Sequence, residues 1–234
     1  MENEMSRREF LKTSAAAGAI LSMTPIITSA EEPKTIQLLK PEPGGGSPLM
    51  QLLWKRKSTK EFSPEPLPVK VLSNLLWAGF GINRPDGRRT AASAMNCQDI
   101  DIYVILADGL YLYDQKASQL KLILAEDLRA LVGTQAYVKE APVNLIYVSD
   151  YGRMRDKIAD QIKTFYGSIS LIDLFAGVDV GLISENVYLY CASEGLATVV
   201  RAWIDIPALS KAMKLRPDQK IILSQAVGYP KKAL

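Results

Sequence analysis

Apolar residues change period several times along the chain, and each change marks an element. Leu49, Leu52 and Leu53 share one face of a short helix opened by Pro48, a residue well suited to a first helical turn. SPEPLP at 63–68 breaks the pattern, and Val69, Leu72, Leu75, Leu76 and Gly79 then define a second amphipathic helix closing near Gly81. DIDIYVILADGLYLYD (99–114) alternates with period two, with Ile100, Ile102, Val104 and Leu106 on one face. It turns at Asp108-Gly109 and returns through Leu110–Tyr113, which predicts a β-hairpin.

LKLILAEDLRALVG reads as a strand end passing into a helix, and APVNLIYVSD (141–150) as a strand buried on both faces. Helical spacing returns at Ile158, Ile162 and Phe165, and again at Val180, Ile183, Val187, Tyr190 and Cys191. Leu182 and Leu189 make that later helix apolar on more than one side, so it is buried or part of a subunit interface. Two further strands are expected within 196–203 and 220–230, separated by a helix from Pro207 to about Lys214. Hairpins mixed with helix–strand connections argue for α+β, with helices covering an antiparallel or mixed sheet.

Composition narrows the function classes. Of 234 residues, 48% are hydrophobic, enough for one good-sized domain. The 28 basic and 25 acidic residues leave a formal charge of +3, too small an excess for a nucleic-acid footprint. There is no histidine, and Cys97 and Cys191 form no CxxC, so a familiar zinc or haem site is not expected. Two free thiols are the expected state.

Residues 1–30 read as an address. SRREFLK at 6–12 carries paired arginines, TSAAAGAILSM is a moderately apolar core, and TSA at 28–30 offers a small-x-small cleavage site. This resembles a twin-arginine export signal and implies an exported protein of the periplasm or cell envelope. An amphipathic start helix or an uncleaved anchor is the alternative, although the run is short and broken by Pro25. Residues 31–47, with PEPGGGSP at 41–48, read as a proline- and glycine-rich linker. The domain is then 48–234.

The candidate chemistry lies in RKSTKEF at 56–62. Three cations and two hydroxyls within five residues suit either a solvated helix end or a cradle for a dianion such as phosphate.

Four stretches, in order, resemble the nitroreductase family of FMN flavoproteins: RKSTKEF after a short helix, SAMNCQ (93–98) before the hairpin, DVGLISENVYLYCASEGLATVV (179–200), and AVGYPKK (226–232). GRRTAASA (87–94) resembles the related dehydrogenase branch that includes azoline oxidases. The resemblance spans roughly residues 48–232 and implies a dimeric nitroreductase-like α+β fold with FMN as cofactor. Hydride transfer through the flavin to or from a small nitroaromatic, quinone-like or heterocyclic substrate is the implied activity. A non-catalytic flavin-binding or partner-binding protein that keeps the fold is the alternative.

Carried over by position, Arg56, Lys57, Ser58 and Lys60 correspond to the segment that holds the FMN phosphate and the flavin's polar edge, joined by Lys231 and Lys232 from the C-terminus. Asn96 corresponds to a ribityl or pyrimidine contact. Glu194 and Gly195 correspond to a turn whose backbone approaches the flavin ring. No catalytic side chain is expected, because the cofactor carries the chemistry. Asp99 stands where the family usually has proline, and residues 151–177, where a substrate lid is expected, match nothing in it. Export implies electrons from a redox partner, a quinol or the substrate itself in place of a nicotinamide.

Overall fold

The computed structural model describes residues 34–158 and 170–231. The export signal, Ile162, Phe165 and Lys232 lie outside those residues. In chain order the elements are β1 (Thr35–Gln37), α1 (Leu49–Lys55), α2 (Val69–Phe80), β2 (Ile100–Leu106), β3 (Gly109–Asp114), β4 (Gln119–Leu124), α3 (Arg129–Val132), α4 (Ala136–Glu140), β5 (Val143–Asp150), α5 (Tyr151–Ile158), α6 (Leu171–Glu194), β6 (Ala197–Arg201), α7 (Ile206–Ala212) and β7 (Gln219–Gly228). The strands form one sheet in the order β1-β4-β3-β2-β5-β7-β6, and the pairings are antiparallel throughout.

The sheet is covered on both faces, which explains why its central strands read as continuous apolar runs. Ile100, Ile102 and Val104 of β2 face a core shared with Leu72, Leu75 and Leu76 of α2 and Val180, Ile183 and Val187 of α6. Tyr103 and Ile105 face the opposite core, built with Val132, Val138 and Leu209 of the small helices. All eight residues of β5 are buried, as a strand with helices on both sides requires.

The 24-residue helix α6 runs along the first core. The Ser170 hydroxyl caps it by accepting the Asp173 amide at 3.3 Å, and Gly195 ends it in a left-handed conformation at φ 68°. Its second apolar stripe, Leu174, Val178 and Leu182, is exposed.

The folded unit begins upstream of the expected boundary at residue 48. Within the stretch read as a linker, Thr35–Gln37 pairs with Lys121–Gln119 at the sheet edge and Leu38 is buried. From there the backbone amides of Leu39, Glu42 and Ser47 donate to Ser73 Oγ, Asn74 Oδ1 and Ser193 Oγ, so the segment crosses α2 to reach the end of α6.

Candidate cofactor site

Arg56 leaves α1 with ψ 124°, and the next residues extend along the free edge of β6. The Thr59 amide donates to the Thr198 carbonyl at 2.9 Å. Phe62 then pins the strand: it is 1% exposed, forms an isolated bridge with Pro230, and packs among Ala141, Ala197, Val199 and Ala226. Two more bonds, Ser63 N–H to Tyr229 O at 2.8 Å and Lys231 N–H to Glu61 O at 3.2 Å, hold the C-terminal segment antiparallel to the basic run. Residues 170 positions apart in sequence, Glu61 and Lys231, are thereby neighbours.

The side chains divide into braced and open ones. Arg56 is half-buried, its guanidinium 5.3 Å from the Tyr188 ring centroid and 4.0 Å from Glu185 Oε1. Ser58 Oγ lies 2.9 Å from Tyr188 Oη, which also accepts the Val200 amide at 2.9 Å. Lys57, Lys60 and Lys231 are exposed, and among the described residues none of them makes an ion pair. A cavity of about 290 Å³ opens here, walled by Lys55, Lys57 and Thr59, by Tyr188, Cys191 and Gly195 at the end of α6, and by Thr198 of β6. Burial pushes the Cys191 thiol far up, so this wall carries no thiolate.

Glu194 and Gly195 part company. Gly195 lines the basic cavity. Nothing lies within 4 Å of where its Cβ would be, so its positive φ at the helix end is what calls for glycine, with no crowding from this chain. Glu194 is exposed and lines a different, larger cavity of about 630 Å³ against Trp77, Asn74 and Leu189. That larger space contains none of the basic run, which makes the smaller one the better candidate for an anionic group.

Asn96 is likewise outside the cavity. It sits in the turn Ser93–Gln98, which is fixed near the other half of α6 by the Ala94 amide, donating to Asp179 Oδ1 and Oδ2 at 2.9 and 3.1 Å. Asp179 precedes Tyr188 by nine helical residues, about 13 Å of rise. Met95, Asn96 and Gln98 all have φ near +50°, a region non-glycine residues rarely occupy, and bonds to Asn96 and Gln98 hold the turn there. Ser93 Oγ accepts the Gln98 amide at 2.8 Å, Gln98 Nε2 donates to Asn96 Oδ1 at 3.0 Å, Arg89 Nε donates to Gln98 Oε1 at 3.1 Å, and Lys157 Nζ donates to the Asn96 carbonyl. Arg89, from the GRRTAASA stretch, also stacks on Phe80 at 4.9 Å.

Sequence reasoning missed Tyr188 and Thr198, which join the basic run to the scaffold. Tyr188 lies beside the apolar stripe from which α6 was read, and only its place opposite Ser58 marks it out.

Comparison with known proteins covers both parts of the chain. A model of the twin-arginine translocation pathway signal sequence matches residues 4–24. A Methanocaldococcus jannaschii protein named as a nitroreductase is 30% identical over 161 residues, 64% of this chain and 76% of that protein. A crystal structure from Ralstonia eutropha JMP134, likewise named as a nitroreductase, has a TM-score of 0.77 and 41% identity, covering 86% of this chain and 95% of that one. Another, a Desulfovibrio desulfuricans protein of the same description in complex with FMN, has a TM-score of 0.55 and 19% identity over 80% of this chain and 89% of its own; that likeness is one of fold. The nitroreductase family model matches residues 53–229, from the end of α1 to the close of β7, and the chain therefore belongs to the nitroreductase family.

Proposed function

We propose that the chain is an exported FMN-dependent oxidoreductase acting on a small nitroaromatic, quinone-like or heterocyclic molecule. The observation that supports this reading is the junction of the basic run with the C-terminal segment, which brings Arg56, Lys57, Ser58 and Lys60 beside Lys231, with Lys57 lining the cavity. The fit to FMN is chemical: a phosphate dianion calls for several charged donors, and among the described residues no carboxylate pairs with Lys57, Lys60 or Lys231. Thr59 and Phe62 hold the run in place while its cations stay open. Asn96 and the Gly195 backbone are the further proposed contacts. Bound FMN would supply two-electron hydride chemistry, leaving the protein to bind, orient and exclude.

Purified protein that is yellow, bleaches with dithionite and recolours with an added quinone supports the reading; a colourless protein indifferent to FMN defeats it and favours a partner-binding role.

The same reading includes a homodimer. Exposed Leu174, Val178 and Leu182 on α6, with Leu49, Met50, Leu53 and Trp54 on α1, give a second copy an apolar surface to cover, and Trp54 is 92% exposed. This surface lies mostly upstream of residues 180–191, the stretch read from the sequence as buried or part of a subunit interface. A monomer by light scattering with FMN bound would count against it. The leader implies a compartment without a maintained nicotinamide pool, so a quinol, a redox partner or the substrate itself feeds the flavin, and the azoline-oxidase-like GRRTAASA favours the last. Stopped-flow bleaching by NADH or NADPH at roughly 1 per second or faster would overturn that part.

A further inference from the structure

Two carboxyl groups lie buried beneath the Asn96 turn. Asp99 is 0% exposed and Asp179 is 1% exposed. Asp99 Oδ2 accepts the Ser149 hydroxyl at 2.5 Å; Oδ1 has no donor, and the Asp179 side chain lies within hydrogen-bonding reach of Asp99. Among the described residues neither carboxyl makes an ion pair. Two carboxylates side by side, desolvated and without an ion-pair partner, repel each other, so ionising both is costly.

Of the surrounding cations, Arg153 attracts the Asp99 carboxyl without forming an ion pair with it. Arg153 of α5 reaches past the Asp99 carboxyl to its carbonyl at 3.0 Å and to Asp101 of β2 at 2.6 Å, and it also pairs with Asp150 of β5 at 3.3 Å. Lys157 is spent on the Asn96 carbonyl, Arg89 on Gln98, and Arg216 on Asp150 and Asp218. Tyr151 donates to Asp173, and burial pushes the Cys97 thiol up.

We propose that in mildly acidic solution Asp99 keeps a proton on Oδ1 and donates it to Asp179, and that this one-proton pair is the positioning device of the Asn96 turn. The pair joins the start of β2, through Asp99, to the helix residue that anchors the Ala94 amide. The turn's left-handed residues have no conformational preference to fall back on when that anchor loosens. Its bearing on cofactor binding rests on the FMN reading above, whereas the shared proton itself does not.

Burial pushes the Asp99 carboxyl up to about 6; the Ser149 bond pulls it down and Asp179 pushes it further up. The folded value lies above the ordinary carboxylate value of 3.8, so the folded chain holds this proton more tightly than the unfolded one. The stabilisation is complete below about 4 and lost as pH rises through about 6.

The test uses the full mature chain without FMN, melted from pH 4 to 8, beside Asp99→Asn, Asp99→Ala and Ser149→Ala. The Asp99→Asn amide donates to Asp179 at every pH, so this variant should lose the wild-type decline between pH 4 and 7. Ser149→Ala removes the donor to the ionised form and should move the decline to higher pH. Asp99→Ala should be less stable than Asp99→Asn throughout. A decline unchanged in Asp99→Asn overturns the shared proton. FMN titration by flavin fluorescence then tests the positioning role. Phosphate ionisation acts on both proteins alike, so the ratio of wild-type to Asp99→Asn affinity should fall several-fold from pH 5 to 8; an identical pH profile in both proteins overturns that role. Absence of FMN binding in all variants would sink the FMN reading while the melts still decide the proton.

Discussion

The two halves of α6 hold opposite kinds of polar surface. Around Tyr188, near its C-terminal end, the backbone is stapled by Thr59–Thr198 and Phe62–Pro230, yet among the described residues Lys57, Lys60 and Lys231 make no ion pair. Around Asp179, the Ser93–Gln98 turn is strained in its backbone, and its polar groups are engaged by the chain itself. A rigid backbone with unpaired cations is prepared for an outside anion. A strained backbone with paired side chains is held by the protein and presents only what is left over, here the exposed face of Asn96.

The largest effect should come from removing the staple. Phe62→Ala should cost about 3–5 kcal/mol in urea unfolding, because a fully buried ring leaves a cavity at the junction of both chain ends. Next, Arg56→Ala with Lys60→Ala should separate binding from folding. Two charge-assisted hydrogen bonds at roughly 1.5–3 kcal/mol each make FMN at least about a hundredfold weaker. The melting temperature should stay within about 2 °C, since neither side chain supports the core. Full flavin occupancy in that double variant would erase the proposed contrast between the two halves.

A smaller change sharpens the boundary of the open end. Gly195→Ala, forced to φ 68°, should cost about 1–2 kcal/mol of stability. If it instead abolished FMN binding at unchanged stability, close approach of the ring would replace helix capping as the reason for glycine. Smallest of all, Glu194→Gln should shift stability by no more than about 0.5 kcal/mol and leave FMN affinity unchanged, since its side chain faces the other cavity.

What could be read from the residues depended on range. Helix α2 and the β2–β3 hairpin carry their signals in adjacent residues, Val69 to Gly81 and Asp108-Gly109, and the structure has both, with the hairpin's two-residue loop one position earlier, at Ala107-Asp108. Strand β1 carried none: Thr-Ile-Gln is too short for a period, and its pairing with β4, over 80 residues away, is what makes it a strand. The basic run was visible as chemistry, but Lys231 joined it only through the family resemblance, because a contact between the two chain ends leaves no local mark. Asn96 and Glu194 were legible as residue types, and their placement away from the basic cavity was not. Asp99 showed only as a missing proline; its partner Asp179, 80 positions on, could not be inferred from either neighbourhood.

The edge strand β1 gives the leader's removal a margin. Cleavage after Ala30 would leave Glu31, Glu32, Pro33 and Lys34 ahead of Thr35, where pairing with β4 begins. Trimming a few residues further would strip the sheet of its guard and bare the backbone of residues 119–122 to strands of other molecules. Over-processing of the leader would then show itself first as self-association at that edge, across the sheet from the basic cavity beside β6.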